Sequence, residues 1–182
     1  MRNKKFTLIV VAIMAFIFIQ SALPADLSKA ESGTIVRFIV NLFQGILPLS
    51  RETLSFIVRK TAHFTEYAVL GCALLPAVRE WTEAPEAASA EDSGTDPTNA
   101  SETRSADAEQ AFLSKNCLIA WIIGALYSVT DEVHQYFVPG RSCELRDMGI
   151  DSCGVLAGSL SGTLMINRRT GRKQHRGKRP WQ

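Results

Sequence analysis

Four blocks of apolar residues dominate the sequence, and each approaches the length that a helix needs to cross a bilayer. The first block, FTLIVVAIMAFIFI, is led by basic residues and followed by Pro24, which stops a helix. A bilayer requires about 20 residues at a rise of about 1.5 Å, so each block predicts one transmembrane helix. The four blocks are residues 6–19, 54–78, 117–136 and 148–166. We therefore predict an all-α, polytopic membrane protein with four transmembrane helices, forming a single domain over residues 1–182.

Basic residues at both termini predict the orientation of these helices. The chain begins with Arg2, Lys4 and Lys5, and its tail, residues 167–182, contains seven Lys or Arg and no acid. Short basic segments stay in the cytoplasm, so four spans with both termini inside satisfy the positive-inside rule. The tail would also contact anionic lipid. It lacks the aromatic interleaving or folded scaffold expected for nucleic-acid binding, so we predict no nucleic-acid partner.

The first block also permits a second interpretation. A basic start, an apolar middle and the small residues in SALPA fit a cleaved signal peptide as well as a first membrane helix. In both cases the chain emerges on the outer side of the membrane, so the predicted topology of the remaining blocks is unchanged.

Two connecting segments differ in composition from the blocks. Within residues 24–53, the stretch GTIVRFIVNLFQGIL has apolar residues at helical spacing. It predicts one short outer amphipathic helix, either in the headgroup layer or packed on the spans. Residues 79–115 carry nine acids against three bases and almost no large apolar side chains. Such a segment cannot bury enough surface to offset its conformational entropy, so we predict a disordered acidic cytoplasmic insert.

Ionisable and polar residues inside three of the blocks are the candidates for function. Arg59, His63 and Glu66 share one face of the second predicted helix, through their spacing of four and three residues. With the predicted orientation, the candidates of all three blocks converge on the outer third of the bundle. An isolated charge in hydrocarbon costs at least about 2.5 kcal/mol, so these side chains must compensate one another or contact water. The other candidates are Lys60, Asp131, Glu132, His134, Gln135, Arg141, Asp147 and Asp151.

Two interpretations of this cluster stay open at this point. In one, the ion pairs only hold the helices together. In the other, the residues form an outward-facing polar pocket, which suits three chemistries. Arg59 and Lys60 would hold a phosphate or diphosphate group of a lipid. Paired imidazole and carboxylate groups, such as Glu66 with His63 or Asp131 with His134, would transfer a proton. A divalent metal would be ligated by two histidines and two carboxylates, His63, His134, Asp131 and Glu132.

Neither the cysteines nor any cofactor-binding motif in the sequence indicates a further type of chemistry. Cys72, Cys117, Cys143 and Cys153 form no CxxC pair that would bind zinc or exchange disulfides. The spacing of Cys143 and Cys153 disfavours a bridge between them. No nucleophile elbow, phosphate-binding glycine loop or dinucleotide fingerprint occurs, so the identity of any cofactor is left open.

The motifs RKTAHFTEYAVLG, DEVHQYFVPGR and DMGIDSCG together resemble the VanZ-like family of bacterial integral membrane proteins. The combination of KxxHFxEY with DExxQxxxPGRxxxxxD is specific, and the resemblance covers essentially every predicted span. Two features depart from the family pattern: Asp151, where the family usually has Asn, and the insert at residues 79–115. The positions that match the family motif are Lys60, His63, Glu66, Tyr67, Asp131, Glu132, Gln135, Arg141 and Asp147.

The resemblance implies a place in the bacterial cell membrane and envelope. The named member of the family is associated with low-level resistance to the glycopeptide antibiotic teicoplanin. We predict that the pocket binds or acts on an anionic envelope lipid or a lipid-linked cell-wall precursor. The alternative is a non-enzymatic membrane module whose ionic layer is structural or docks a partner protein. The catalytic candidates are His63, Glu66, Asp131 and Glu132. The ligand-binding candidates are Arg59, Lys60, Tyr67, His134, Gln135, Arg141, Asp147 and Asp151.

Overall fold

A computed structural model describes residues 4–24, 50–92 and 106–177, together with residues 27, 30, 33 and 36–38. Side chains are described for the same residues except 83–92, 106–110 and 167–177. Within these ranges all regular secondary structure is α-helical, which confirms the predicted all-α class. The helices are α1, Lys5–Ser21; α2, Arg51–Asp92; α3, Ala106–Tyr136; and α4, Leu145–Gly177.

Local sequence signals explain where α2 begins and where α3 ends. The Ser50 hydroxyl accepts a hydrogen bond from the Thr53 backbone N–H at 3.1 Å, so Ser50 acts as the N-cap of α2. After α3, a tight turn at Pro139 and Gly140 reverses the chain. Gly140 has a φ of 76°, a conformation that favours glycine because a Cβ would be strained there. This turn allows α4 to run antiparallel to α3.

The core lies along the line where α2 meets the other helices. α2 packs most extensively against α4, while α3 also packs on α4 and α1 lies mainly against α2. Tyr67, Leu70, Leu74 and Val78 of α2 are fully buried at spacings of three and four residues. They form one cluster with Val155 of α4 and with residues of α1 and α3. The burial of this stripe fixes the rotation of α2, and so decides which way its polar residues face.

Glycines allow α2 and α4 to approach closely. A Cβ added at Gly158 would lie 1.9 Å from the carbonyl oxygen of Ala68, and one added at Gly154 would lie 2.5 Å from that of Phe64. On the facing helix, a Cβ at Gly71 would lie 2.1 Å from the carbonyl oxygen of Val155. Neither helix can carry a side chain at these points, as is typical of small-residue contacts between membrane helices.

Among the described residues, two helices are long and apolar enough to cross a membrane, residues 111–136 of α3 and 145–166 of α4. Four such helices were predicted, and length and composition confirm two of them. α1 is apolar but has only 17 residues, and α2 carries Arg59, Lys60, His63 and Glu66 in its apolar part. The outer faces of α3 and α4 carry exposed apolar stripes: Leu118, Ile122, Leu126, Val129 and Val133 on α3, and Leu156, Leu160 and Leu164 on α4.

The two connecting segments are described only in part. α2 continues through residues 79–92 and α3 begins at 106, so both ends of the predicted disordered insert are helical, in contrast to the prediction. Alanine and glutamate, which are frequent there, favour helix, and extending an existing helix needs no new nucleus. Residues 93–105 lie outside the described residues. Of the predicted amphipathic helix, only residues 33 and 36–38 are described, and these are helical.

Candidate functional site

The polar residues of the four helices meet at one end of the bundle. Contacts there join the last turn of α1, the first third of α2, the end of α3 and the start of α4. Asp131 of α3 is buried, with only 1% of its surface exposed. Its Oδ2 accepts hydrogen bonds from Ser21 Oγ at 2.7 Å, Tyr67 OH at 3.2 Å and Gln135 Nε2 at 3.2 Å. One carboxylate oxygen thus holds side chains of three helices.

Arg141 extends this network to the end of α1. Its Nη1 donates to Gln135 Oε1 at 3.1 Å, its Nε to the Leu23 carbonyl at 2.9 Å, and its Nη2 to the Gln20 carbonyl at 3.3 Å. The last carbonyls of a helix lack partners within the helix, and a cation is favourable at that end. Arg141 therefore caps α1 while Gln135 links it to Asp131.

A second set of polar contacts joins α2 to the start of α4. Lys60 Nζ donates to Asp147 Oδ2 in a salt bridge whose two side chains are 20% and 15% exposed. Arg146 Nη2 lies 2.8 Å from Glu144 Oε2. The buried Glu132 accepts a hydrogen bond from the Glu144 backbone N–H at 3.2 Å. Glu132 therefore fixes the loop that leads into α4.

Between these two sets of contacts lies a pocket of about 210 Å³, which we call the polar pocket. Four cations and two carboxylates line it, an excess of two positive charges when His63 is neutral. Three buried atoms of its lining, Arg59 Nε, His63 Nδ1 and Asp147 Oδ1, have no hydrogen-bond partner among the described residues. Buried polar atoms normally have partners, so water or a ligand is expected here. The lining residues are Phe56, Arg59, Lys60, His63, Gln135, Gly140, Arg141, Ser142, Glu144, Arg146 and Asp147.

His63 and Glu66 connect the polar pocket to a second cavity. His63 Nδ1 lies 3.9 Å from Glu66 Oε2. Glu66 does not line the polar pocket but a larger opening of about 700 Å³ between α1 and α2, which we call the apolar groove. Its other lining residues are Ile9, Ala12, Ile13, Phe16 and Ile17 of α1, and Val58, Thr61, Ala62, Thr65 and Val69 of α2.

Two further candidates lie apart from both cavities. Asp151 is 1% exposed, and its Oδ2 has no hydrogen-bond partner within the described part of the chain. The His134 ring stacks on Phe18 at a centroid distance of 4.2 Å. Of the twelve residues proposed from the sequence, six line the polar pocket: Arg59, Lys60, His63, Gln135, Arg141 and Asp147. Tyr67, Asp131, Glu132 and Asp151 are buried outside its lining.

A comparison with protein-family models decides the family of this chain. The model of the VanZ/LLP1 family matches residues 6–166, a range that covers α2 and α3, most of α1 and α4, and both motifs at the site. The chain belongs to the VanZ/LLP1 family. This result confirms the resemblance inferred from the motifs. Comparisons with curated proteins and with solved structures find no match.

The VanZ/LLP1 site offers no metal cluster in the residues that the structure describes. No group of three or more His, Cys, Asp or Glu side chains there is placed to hold an ion. Of the four proposed metal ligands, His134 stacks on Phe18, and Asp131 Oδ2 accepts three hydrogen bonds. The four cysteines are free thiols.

Several residues of this VanZ/LLP1 site were not among the sequence candidates. Ser21 lies in SALPA, where small residues had suggested a cleavage site. Arg146 follows the PGR motif by five positions, and its charge was the available signal. The guanidinium of Arg146 lies 4.8 Å from the centre of the Phe56 ring, and Lys60 Nζ lies 5.4 Å from the same centre. One aromatic ring therefore contacts two cations of the polar pocket.

Proposed function

We propose that this VanZ/LLP1 protein is a multi-pass protein of the bacterial cell membrane that binds an anionic envelope lipid or lipid-linked wall precursor. In this proposal all four helices cross the membrane and both termini are cytoplasmic. Only 33% of the most apolar stretch of α3, and 39% of the corresponding stretch of α4, is buried inside the protein. Such exposure suits helices in lipid, since a soluble core would bury most of that surface.

The orientation follows from the basic ends of the chain. Both the N-terminal residues and the tail are rich in Lys and Arg, which favours the cytoplasmic side for both. The polar pocket is at the end of the bundle where α1 finishes and α2 begins, opposite the two termini. It would therefore face outward, where envelope lipids and wall precursors are found.

The charge of the polar pocket is the observation from which we infer that the ligand is an anion. Four cationic side chains against two carboxylates favour an anion, and Arg59 Nε has no hydrogen-bond partner among the described residues. Arginine binds phosphate oxygens through paired N–H donors, while lysine acts as a point charge. The volume of about 210 Å³ is below the roughly 300 Å³ at which pockets enclose a drug-sized ligand. The pocket would therefore hold only the anionic headgroup.

A role in proton transfer is a further part of the proposal. The imidazole of His63 lines the polar pocket, and Glu66 lies beside it. This pair would orient the headgroup or move a proton at it. Asp131 and Glu132 were proposed for the same role, but their hydrogen bonds to Ser21 and to the Glu144 backbone support a positioning role.

The second candidate function is a non-enzymatic module with a structural ionic layer. The hydrogen bonds that Asp131 and Arg141 make to other helices favour it for those two residues. These hydrogen bonds do not include Arg59, whose Nε has no partner in the part of the chain that the structure describes. The two functions therefore predict different phenotypes at different residues.

The test uses the full chain purified in detergent. Native mass spectrometry would compare retention of phosphatidylglycerol, which is anionic, with that of zwitterionic phosphatidylcholine. We expect the parent to prefer phosphatidylglycerol, and Arg59→Gln to lose about tenfold in affinity, because a hydrogen bond to a charged group contributes about 1.5 to 3 kcal/mol. Arg51→Gln, an exposed arginine of the same helix outside the pocket, is the matched control. Equal retention of both lipids by the parent would contradict the proposal.

A cellular test addresses the proposed link to the antibiotic. Cells that express the parent would survive more teicoplanin than cells with an empty vector. Arg59→Gln would remove this protection while the protein still accumulates, because Arg59 Nε makes no described hydrogen bond that folding would lose. Protection by Arg59→Gln equal to that of the parent would remove the pocket from the resistance mechanism.

A further inference from the structure

The apolar groove begins at the level of the polar pocket and continues along the bundle. On α2 it reaches from Val58 to Val69, which is about 16 Å at a helical rise of about 1.5 Å per residue. The pocket residues Lys60 and His63 lie on the same stretch of α2, but on a different face. The groove therefore extends from the pocket toward the opposite end over about half of a hydrocarbon core of roughly 30 Å.

The lining of the groove suits an unbranched or isoprenoid chain. Most of its lining residues are aliphatic or aromatic. The hydroxyl of Thr65 already donates to the Thr61 carbonyl at 2.7 Å, so this polar group needs no partner from a ligand. Glu66 is the acidic residue of the lining, and it faces His63 of the pocket at 3.9 Å. One side-chain pair thus separates a cationic cavity from an apolar one.

The sizes of the two cavities fit the two parts of one amphiphile. The polar pocket, at about 210 Å³, accepts a phosphate or diphosphate group but not a lipid tail. The groove, at about 700 Å³, is more than three times larger, and the described residues that line it include no cation. An anion with an apolar chain would place its charge beside Arg59 and Lys60 in the polar pocket and its chain between α1 and α2.

We infer that the ligand is a lipid phosphate or diphosphate whose apolar chain occupies the groove between α1 and α2, with its headgroup in the polar pocket. This inference rests on the proposed function, since it names the class of lipid that the pocket would bind. The groove supplies affinity for the chain, and the pocket supplies selection for the anion. The His63 and Glu66 pair lies where chain and headgroup join.

The experiment uses the full chain in detergent and two soluble probes, geranyl diphosphate and inorganic diphosphate. Ala12, exposed in the groove, is replaced by Phe to fill it, and Ala15, exposed on α1 outside the groove, receives the same substitution as the control. Burial of several methylene-sized groups predicts that the parent binds geranyl diphosphate at least about tenfold more tightly than inorganic diphosphate. Ala12→Phe should abolish this difference and leave the affinity for inorganic diphosphate unchanged, whereas Ala15→Phe should preserve both.

The outcomes separate the inference from the proposed function. Equal affinity of the parent for both probes would overturn the groove as a chain site and leave the anion pocket standing. Failure of the parent to bind either probe would overturn both. A fall in thermal stability or a change in oligomer mass for Ala12→Phe, with the tenfold difference intact, would show that the groove is covered by this chain or by a second copy. That result would also overturn the inference. Ala62→Phe, which fills the groove from α2, repeats the test if Ala12→Phe does not fold.

Discussion

Replacement of Asp131 by alanine tests whether one buried carboxylate holds three helices together. The substitution would leave the Ser21 hydroxyl, the Tyr67 hydroxyl and the Gln135 amide without their acceptor. A buried donor without a partner costs about 1 to 3 kcal/mol. The Gln135 amide can still donate to Ser21 Oγ, which lies 3.5 Å from its Nε2. The substitution therefore leaves two donors without an acceptor, the Ser21 and Tyr67 hydroxyls, and also removes the carboxylate charge. We expect Asp131→Ala to lower the free energy of unfolding by about 3 to 6 kcal/mol.

Asparagine at the same position should cost less. Its single amide oxygen offers two lone pairs where three donors converge, so about one hydrogen bond is lost. A loss of about 1 to 3 kcal/mol is expected for Asp131→Asn. Thr130→Ala is the matched control, because Thr130 is the exposed neighbour of Asp131 on α3, and exposed substitutions usually change stability by less than about 0.5 kcal/mol.

Thermal unfolding in detergent measures these differences. Cys117 is buried, while Cys72, Cys143 and Cys153 are exposed. After the exposed thiols have been blocked, a thiol-reactive dye reports the exposure of Cys117 as the protein unfolds. For a chain of this size, about 1 kcal/mol corresponds to about 2 to 4 °C, so Asp131→Ala should melt at least about 6 °C below the parent. A melting temperature of Asp131→Ala equal to that of Thr130→Ala would refute the structural role of this carboxylate.

Three further predictions concern other contacts of the bundle. Gly158→Leu should lower the melting temperature strongly or prevent accumulation, because its Cβ would lie 1.9 Å from a carbonyl oxygen of α2. Gly149→Leu should melt like the parent in the same assay, because a Cβ added at Gly149 meets nothing within 4 Å among the described residues. Arg141→Lys should destabilise by about 1 to 3 kcal/mol in thermal unfolding, since one ammonium cannot reproduce the three hydrogen bonds of the guanidinium; a parent-like melting temperature would contradict this. A double-mutant cycle on Lys60→Gln and Asp147→Asn should give a coupling of about 0.5 to 1 kcal/mol in 0.15 M salt, and zero coupling would show that the pair adds nothing to stability.

The sequence was sufficient to predict the class of the fold and the gathering of polar residues. Both depend on periodicity, which the sequence records directly: apolar blocks of near-spanning length give antiparallel helices, and antiparallel helices bring His63, Gln135 and Asp147 to one end. The number of membrane-crossing helices was harder to predict from the sequence. α2 carries four ionisable residues in its apolar part, and hydropathy alone does not separate such a helix from the core of a soluble protein.

The partners of each side chain could not be predicted, because they depend on helix rotation and loop geometry. The glycine contacts between α2 and α4 set that rotation, and they turn Glu66 toward α1 and His63 toward the polar pocket. Ser21 was not predicted, because the sequence does not show which of several roles a small hydroxyl residue near a helix end has. Asp131 was predicted to transfer protons, since a carboxylate beside a histidine suits that chemistry; its enclosure by three donors is visible only in three dimensions.

The sequence offered two interpretations of the buried charges, a structural layer and a ligand pocket, and the geometry assigns each to different residues. Asp131 Oδ1 has no partner among the described residues, but Asp131 Oδ2 accepts hydrogen bonds from three helices, and Arg141 donates three hydrogen bonds that tie its loop to α1 and α3. The cost of removing either residue should therefore be seen first in stability. Arg59 and His63 each keep a buried nitrogen without a partner in the described residues, so little folding energy depends on those atoms. A buried N–H group needs an acceptor. An anion in the polar pocket would supply one to these nitrogens, which favours a binding role for this part of the site.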